Sequence, residues 1–339
     1  MPISLKAAQG GSKAIFKERP LWKSGTFVAP VSAVYLVTAI GPGGSGAWAP
    51  TGAGTAATGG AAGGMAQKKV RLNAGDQLTI VIGAGGTPPA TAGTNGNDGG
   101  NTTVSGPGLA LIARGGKGGK TKPLGTGTAD GAVGGLAEGG DVNLQGGGSG
   151  SATTTATTTG VEALTGGGAV AIKGVGHPSG AATSGFSTAL TGGAGVGGPS
   201  GDAVSTTQKA ITLPGSAVRG SASKTNVSVS ASDVTEADYP HAADGTAGVA
   251  YQSRMLWPNS SATPSNSVYP AGSGSAAIET GTTNTTRAGL FAGSGARQGA
   301  STLRKTVPGV GGGSGATTES SAAPGGDGFV MIEWFEELE

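Results

Sequence analysis

The chain has no cysteine and two histidines, and only 14 of its 339 residues are aromatic (six Phe, four Trp, four Tyr). Without cysteine there are no disulfides and no thiol chemistry, and His177 and His241 alone make no histidine-rich metal centre. No run reaches the roughly 18 apolar residues that cross a bilayer as a helix. Met1 to Pro20 mixes charged and small residues without an apolar core, so no export signal is expected. The 21 Lys and Arg nearly balance the 19 Asp and Glu, and they are scattered rather than striped between stacking aromatics, so no nucleic-acid partner is expected.

What the chain has instead is glycine, 71 residues of it. Glycine loses the most backbone entropy on ordering and adds no side chain to a core, so order here requires backbone hydrogen bonds. A collagen rod needs Gly at every third position without exception, and Gly166-Gly167-Gly168 breaks that rule. The glycines are also uneven: 48 fall between Gly41 and Ser200 but only 12 between Gly201 and Ala300.

The interruptions read as strands. Phe27 to Ile40 is a β-branched run led by Ser24-Gly25, and Gln67 to Leu72 with Gln77 to Ile82 reads as a hairpin closed by Asn73-Ala74-Gly75-Asp76. Further strands are expected at Asn101 to Val104, Leu109 to Ala113, Asn226 to Ser232, and Phe329 to Phe335 with Val330, Ile332 and Trp334 on one face. No amphipathic helix is expected. Between Gly115 and Ser200 the Gly, Ala, Ser and Thr text suits extended polyglycine or polyproline II segments that pack side by side because no Cβ separates them; a floppy linker is the alternative. Gly201 to Ala300 is richer in Ser, Thr and Asn. It holds Tyr239, Tyr251, Trp257 and Tyr269 among Pro240, Pro258, Pro264 and Pro270, the text of loops and edge strands.

Motifs for chemistry fail on their context. Gly41-Pro42-Gly43-Gly44-Ser45-Gly46 matches the dinucleotide pattern after a strand, but Pro50 and the following glycines deny it a helix and no acidic residue occurs before Asp76. Arg114 to Thr121 misses a phosphate-binding loop because Arg114 stands where Gly is needed. No serine has Gly two residues away on both sides, so there is no nucleophile elbow. Asp202, Asp233, Glu236, Asp238 and Asp244 could pair for glycan hydrolysis, although acids of this kind more often cap turns. Asn95 to Asn101 gathers oxygen ligands for a hard cation without the regular spacing of a calcium loop, and a structural turn is the preferred reading. No catalytic residue, cofactor or metal is expected.

The order of features resembles the glycine-rich domain found in many bacteriophage tail and tail-fibre proteins. The matching text is Trp22 to Pro30, the strand ending in Gly41-Pro42-Gly43-Gly44, Leu72 to Asp76, Ile82 to Gly86, Gly96 to Thr103, Gly115 to Gly119, and Gly325 to Trp334. The resemblance implies a mainly β, sandwich-like domain with glycine-rich connections, often trimeric, at a fibre tip or on a tail, and it implies no catalytic residues. The long stretch from Asp141 to Val310 departs from the usual compact size. Three parts are therefore expected: a docking segment over 1–20, a β domain over 21–140 plus 311–339, and an inserted, loop-rich distal module over 141–310.

The expected function is that of a virion structural protein of a phage tail (tail fibre, tail tip or baseplate), non-enzymatic, that helps attach to the host surface. Tyr239, Tyr251, Trp257 and Tyr269 are candidate receptor or partner contacts; Lys6, Lys13, Lys17 and Arg19 are candidates for docking onto other tail proteins. The alternatives are a connecting component with no receptor contact and a secreted glycine-rich matrix protein.

Overall fold

The computed structural model describes residues 14–170, 176–186, 188–191, 193–194, 202–205, 210–212, 223–225, 289–290, 309–310 and 324–337. In chain order the first strands are β1 (Ala14–Leu21), β2 (Gly25–Val28), β3 (Ala33–Ile40), β4 (Thr55–Ala57), β5 (Met65–Leu72), β6 (Gln77–Val81) and β7 (Asn101–Gly106). Next come β8 (Leu109–Arg114), β9 (Gly127–Ala129), β10 (Ala137–Glu138), β11 (Val142–Leu144), β12 (Ala152–Thr154), β13 (Glu162–Leu164) and β14 (Ala182–Ser184). The rest are β15 (Thr188–Thr191), β16 (Ala203–Ser205), β17 (Ala210–Thr212), β18 (Ser223–Thr225), β19 (Gly289–Leu290), β20 (Gly309–Val310) and β21 (Phe329–Glu337). Among the described residues there is no helix.

Two antiparallel sheets form a sandwich. One has the order β1-β21-β3-β5-β11 and the other β10-β8-β7-β6-β2. Alternation puts one face of each sheet into a shared core: Tyr35, Val37, Ala39, Leu72, Val330 and Ile332 from the first meet Leu78, Ile80, Val104 and Leu111 from the second. The scarce aromatics concentrate here. Phe27, Tyr35 and Trp334 lie mutually 5.4 to 5.9 Å apart, whereas Trp22 packs 4.4 Å from Phe329 on the opposite face of β21.

Two expectations are corrected. The run Phe27 to Ile40 is not one strand: β2 and β3 belong to different sheets. Pro30 supplies no N–H for a ladder, and the chain crosses between layers there, fixed by the Tyr35 hydroxyl donating to the Val31 carbonyl at 2.7 Å. The expected hairpin is likewise an arch, because β5 pairs with β3 while β6 pairs with β2 and β7. Both strands alternate, so either arrangement satisfies the pattern; Val70 and Leu72 face Leu78 and Ile80 across the core instead of lying beside them. Asn73-Ala74-Gly75-Asp76 forms the turn of the arch, with Gly75 at φ 90° and the Asp76 carboxylate accepting from the Asn73 N–H at 2.8 Å. The last strand, β21, pairs antiparallel with both β1 and β3.

At one end of the sandwich five long strands run into glycine: β3 leads to Gly41 and β8 to Gly115, while Gly64, Gly100 and Gly328 precede β5, β7 and β21. These segments form a bundle without helix or strand. Gly41, Gly44 and Ala47 donate to the carbonyls of Gly64, Ala61 and Thr58 at 2.8, 2.8 and 3.1 Å, every third residue bonding the same neighbour. Thr58, Ala61 and Gly64 donate in turn to Lys120, Lys117 and Arg114. That repeat is the signature of an extended helix with three residues per turn, whose backbone groups find partners only in adjacent segments. Ordered packing therefore replaces the floppy alternative over the described glycine segments. At Gly41, Gly44, Gly63 and Gly116 a Cβ would come closer than 3.0 Å to a neighbouring backbone, so only glycine fits.

Beyond the bundle lie two sheets of very short strands, β16-β14-β12-β9 and β18-β17-β15-β13-β4. The chain alternates between them, and β12, β14 and β16 pair in parallel, as do β13, β15 and β17. Among the described residues the apolar cluster between them is six alanines, Ala56, Ala129, Ala152, Ala163, Ala182 and Ala189, while Leu164 of β13 and Leu190 of β15 are also fully buried. The region expected as a separate module from 141 onward thus contributes β11 to the sandwich, segments to the bundle, and most of this stack.

Candidate functional site

The outer side of the bundle carries a groove of about 770 Å³ between residues 95–101, 114–120 and 131–136. A period of three brings side chains into rows. Asn95, Asp98 and Asn101 accept from the N–H groups of Thr121, Gly118 and Gly115 at 2.9, 2.8 and 3.4 Å, closing the edge of the adjacent segment. Arg114, Lys117 and Lys120 form the facing row; Arg114 pairs with Glu138 at 2.8 Å and Lys117 with Asp98 at 2.7 Å. Burial alone would raise the Asp98 carboxyl, but the Lys117 ammonium and the Gly118 N–H together hold it below its ordinary 3.8. These oxygens are committed to backbone donors and an ammonium. The structure thus gives Asn95 to Asn101 the role of a side-chain edge clamp.

Gly41 to Gly46, the segment with the dinucleotide pattern, is wholly buried among other segments and opens no helix. Arg114 to Thr121 is one of the extended segments of the bundle. Among the described residues no group of three His, Asp or Glu side chains could hold a metal ion. No described helix is long and apolar enough to cross a membrane.

The loops between the short strands gather at the end of the molecule remote from the sandwich. A Cβ on Gly54 would touch the carbonyls of Ala156 and Gly125, and Leu124 lies against Gly52, which places residues 51–54, 123–126 and 155–161 together. Lys122 ties them from beneath: only 8% exposed, it donates through Nζ to the carbonyls of Gly54 at 3.1 Å, Pro123 at 2.9 Å and Gly125. Its three donors meet three acceptors and no carboxylate, and burial lowers its pKa from the ordinary 10.5. Above this cage Leu124 and, in the β14–β15 loop, Phe186 stand 50% and 64% exposed.

The candidate contacts Tyr239, Tyr251, Trp257 and Tyr269, the docking candidates Lys6 and Lys13, the strand expected at Asn226 to Ser232, and the acids Asp233, Glu236, Asp238 and Asp244 lie outside the described residues. Asp202 accepts from the Ala181 N–H at 2.8 Å. Lys17 and Arg19 belong to β1, so the expected docking segment is from Ala14 onward a strand of the sandwich. Both face the side of the sheet that holds Trp334 and Ile332, and Lys17 pairs with Glu336 at 3.7 Å. Phe186 was not singled out by sequence; a lone Phe in Ser-Gly-Phe-Ser carries no pattern, and its exposure is set by the turn between β14 and β15.

No curated protein matches the chain. A family model described as a glycine-rich domain matches residues 23–335, from the approach to β2 through to β21, and so takes in sandwich, bundle and stack together. The chain belongs to that glycine-rich domain family.

Proposed function

We propose that the chain is a non-enzymatic structural protein of a bacteriophage tail, at a fibre, tip or baseplate, and that it contributes to attachment at the host surface. One observation carries the reading: the two poles of the molecule are unlike. Ala14 and Glu337 lie opposite each other at the end of the sandwich that faces away from the bundle. The opposite pole presents the loops bearing Leu124 and Phe186. Between them the segments of the bundle are cross-linked by backbone hydrogen bonds, a stiff spacer suited to carrying load and recognition loops rather than to closing over a substrate. Aromatics exposed on loops stack on sugar rings or anchor protein contacts. Tyr239, Tyr251, Trp257 and Tyr269, in the glycine-poor stretch, remain the companion contacts under this reading, with other tail proteins and a further copy of the chain as partners and no cofactor.

Antibodies against the purified chain test it. Immunogold electron microscopy of tailed particles from the source culture is expected to label tail ends, and purified chain is expected to compete with particle adsorption. Phe186→Ser should weaken that competition without moving the melting temperature. Unlabelled particles beside chain free in the medium would overturn the reading in favour of a matrix protein. Labelled particles whose adsorption the chain never inhibits would leave the purely structural tail role.

A further inference from the structure

The outer face of the sheet β1-β21-β3-β5-β11, turned away from the core, carries an exposed apolar patch among charged side chains. Register puts Phe16, Phe335, Val34 and Arg71 in one row across it, and Glu18, Glu333, Leu36 and Lys69 in the next. Phe16 and Phe335 meet edge to face at 5.4 Å, and with Val34 and Leu36 they line a groove of about 380 Å³. Phe335 is 56% and Val34 52% exposed. The groove runs to β1, which among the described residues is the edge strand of its sheet.

Two features of that edge name what fits it. Glu18 stands directly opposite Glu333, a like-charge pair that destabilises a sheet, and the Glu18 Oε2 is buried with no hydrogen-bond partner. A buried carboxylate oxygen without a donor is costly, and a Lys or Arg placed on the row removes both penalties. Pro20 has no N–H, so the backbone parity it shares with Phe16 and Glu18 is the one that faces outward from β21 without breaking the ladder. Pairing along the free edge can therefore run past Phe16 and Glu18 and stops at Pro20. A second β1 in antiparallel pairing is a poorer occupant: with both aromatic faces on one side, the register that sets Phe16 against Phe16 leaves Glu18 opposite Ala14 with no cation, and the next two set Lys17 against Lys17 or Glu18 against Glu18.

We infer that the β1 edge and the Phe16/Phe335 groove receive a strand from a different protein, one that sets an aromatic or branched apolar residue against Phe16 and, two positions along, a Lys or Arg against Glu18 and Glu333. This deepens the tail-protein reading by giving the chemistry of the anchoring partner at the sandwich pole, and it rests on that reading only for where the partner belongs.

The test uses the full chain and two fluorescent peptides of about eight residues, a strand's length, on an alternating Thr/Val background. One carries Phe and Lys two positions apart, the other Phe and Glu. Anisotropy is expected to show the Lys peptide binding about tenfold more tightly, the scale of one charge-assisted hydrogen bond, with the gap shrinking as salt rises. Glu18→Lys should invert the preference, and Phe335→Ser should weaken both peptides while the melting temperature stays within about 2 °C. If Glu18→Lys fails to fold, Glu333→Gln, which should narrow the gap, replaces it. Equal binding of the two peptides by the wild type, no binding of the Lys peptide at millimolar concentration, or a self-association that Glu18→Lys abolishes would each overturn the inference, the last by making a second copy the occupant. None of these results bears on immunogold labelling, so failure here and failure of the tail-protein reading are told apart.

Discussion

In the sandwich Tyr35, Leu72, Leu78 and Leu111 are fully buried, and the sheets are held apart by those side chains. Gly41 to Ala47 is buried to the same degree with no side chain larger than Pro42. Where side chains fill the interior, backbones stand about 10 Å apart and the stabilisation is apolar area removed from water. Where glycine fills it, neighbouring backbones touch, and each segment satisfies its donors and acceptors in its neighbours. The alanine stack is intermediate, with a core of single methyl groups between short parallel strands. The comparison teaches that a chain with few large side chains can still fold if backbone hydrogen bonding replaces the core, provided the glycines fall at the contact positions.

The largest way to break that contrast is to add one methyl group. Gly116→Ala drives its Cβ closer than 3.0 Å to the backbone of Ala61 and Ala62, atoms that cannot rotate away. The expected loss is about 3 kcal/mol or more, the upper end of overpacking penalties, read by thermal unfolding. Gly25→Ala is the control with the opposite sign, because nothing lies within 4 Å of its Cβ. There the same change should stabilise by roughly 0.4–1 kcal/mol through the unfolded chain. Equal effects at the two positions would refute the role given to close backbone contact.

Removing carbon instead of adding it sharpens the other half. Leu111→Ala in the sandwich core should cost about 2–5 kcal/mol, whereas the six alanines that pack between the two sheets of the stack each offer only a single methyl group to remove. Denaturant titration gives the measurement; a Leu111→Ala protein as stable as the wild type would show that the sandwich is also held chiefly by its backbone.

The smallest effect concerns the row that clamps the bundle edge. The folded Asp98 carboxyl lies below its ordinary 3.8, so the unfolded chain takes up its proton first as pH falls. Its contribution is therefore present above the ordinary value and lost as pH drops through the lower, folded one. The stability gap between wild type and Asp98→Asn should be constant at neutral pH and close in that acid range. It will be modest, because Lys117 and Asp98 are 63% and 53% exposed and water screens them. A gap that widens on acidification would contradict the assignment.

Strand positions were legible because alternation with β-branched residues is a local signal: Asn101 to Val104, Leu109 to Ala113 and Phe329 to Phe335 all lie within β7, β8 and β21. Partners were not. Gln67 to Ile82 reads equally as a hairpin and as an arch, since both arrangements bury Val70, Leu72, Leu78 and Ile80. The stack is written in the sequence as a repeat of small residues. Ser149-Gly150-Ser151-Ala152 and Ser179-Gly180-Ala181-Ala182 repeat one pattern, and Ala163-Leu164-Thr165-Gly166-Gly167 recurs as Ala189-Leu190-Thr191-Gly192-Gly193. Unequal spacing and small residues hid the repeat. The three-residue spacing of Asn95, Asp98 and Asn101 could also have been seen, but it has meaning only once a neighbouring segment with the same period lies alongside.

By itself the sequence determined that the chain has no disulfides and few large side chains, that β structure dominates, and where strands give way to glycine, because composition and alternation are properties of single residues and short windows. Tertiary structure alone decided which glycine faces which carbonyl, that Asn95 to Asn101 caps a segment edge, that Lys122 sits in a cage of carbonyls, and that Phe16, Phe335, Glu18 and Glu333 form one surface. Each of those joins residues far apart in the chain, and an extended segment with three residues per turn leaves its backbone hydrogen bonds to be satisfied by whichever neighbour the fold supplies.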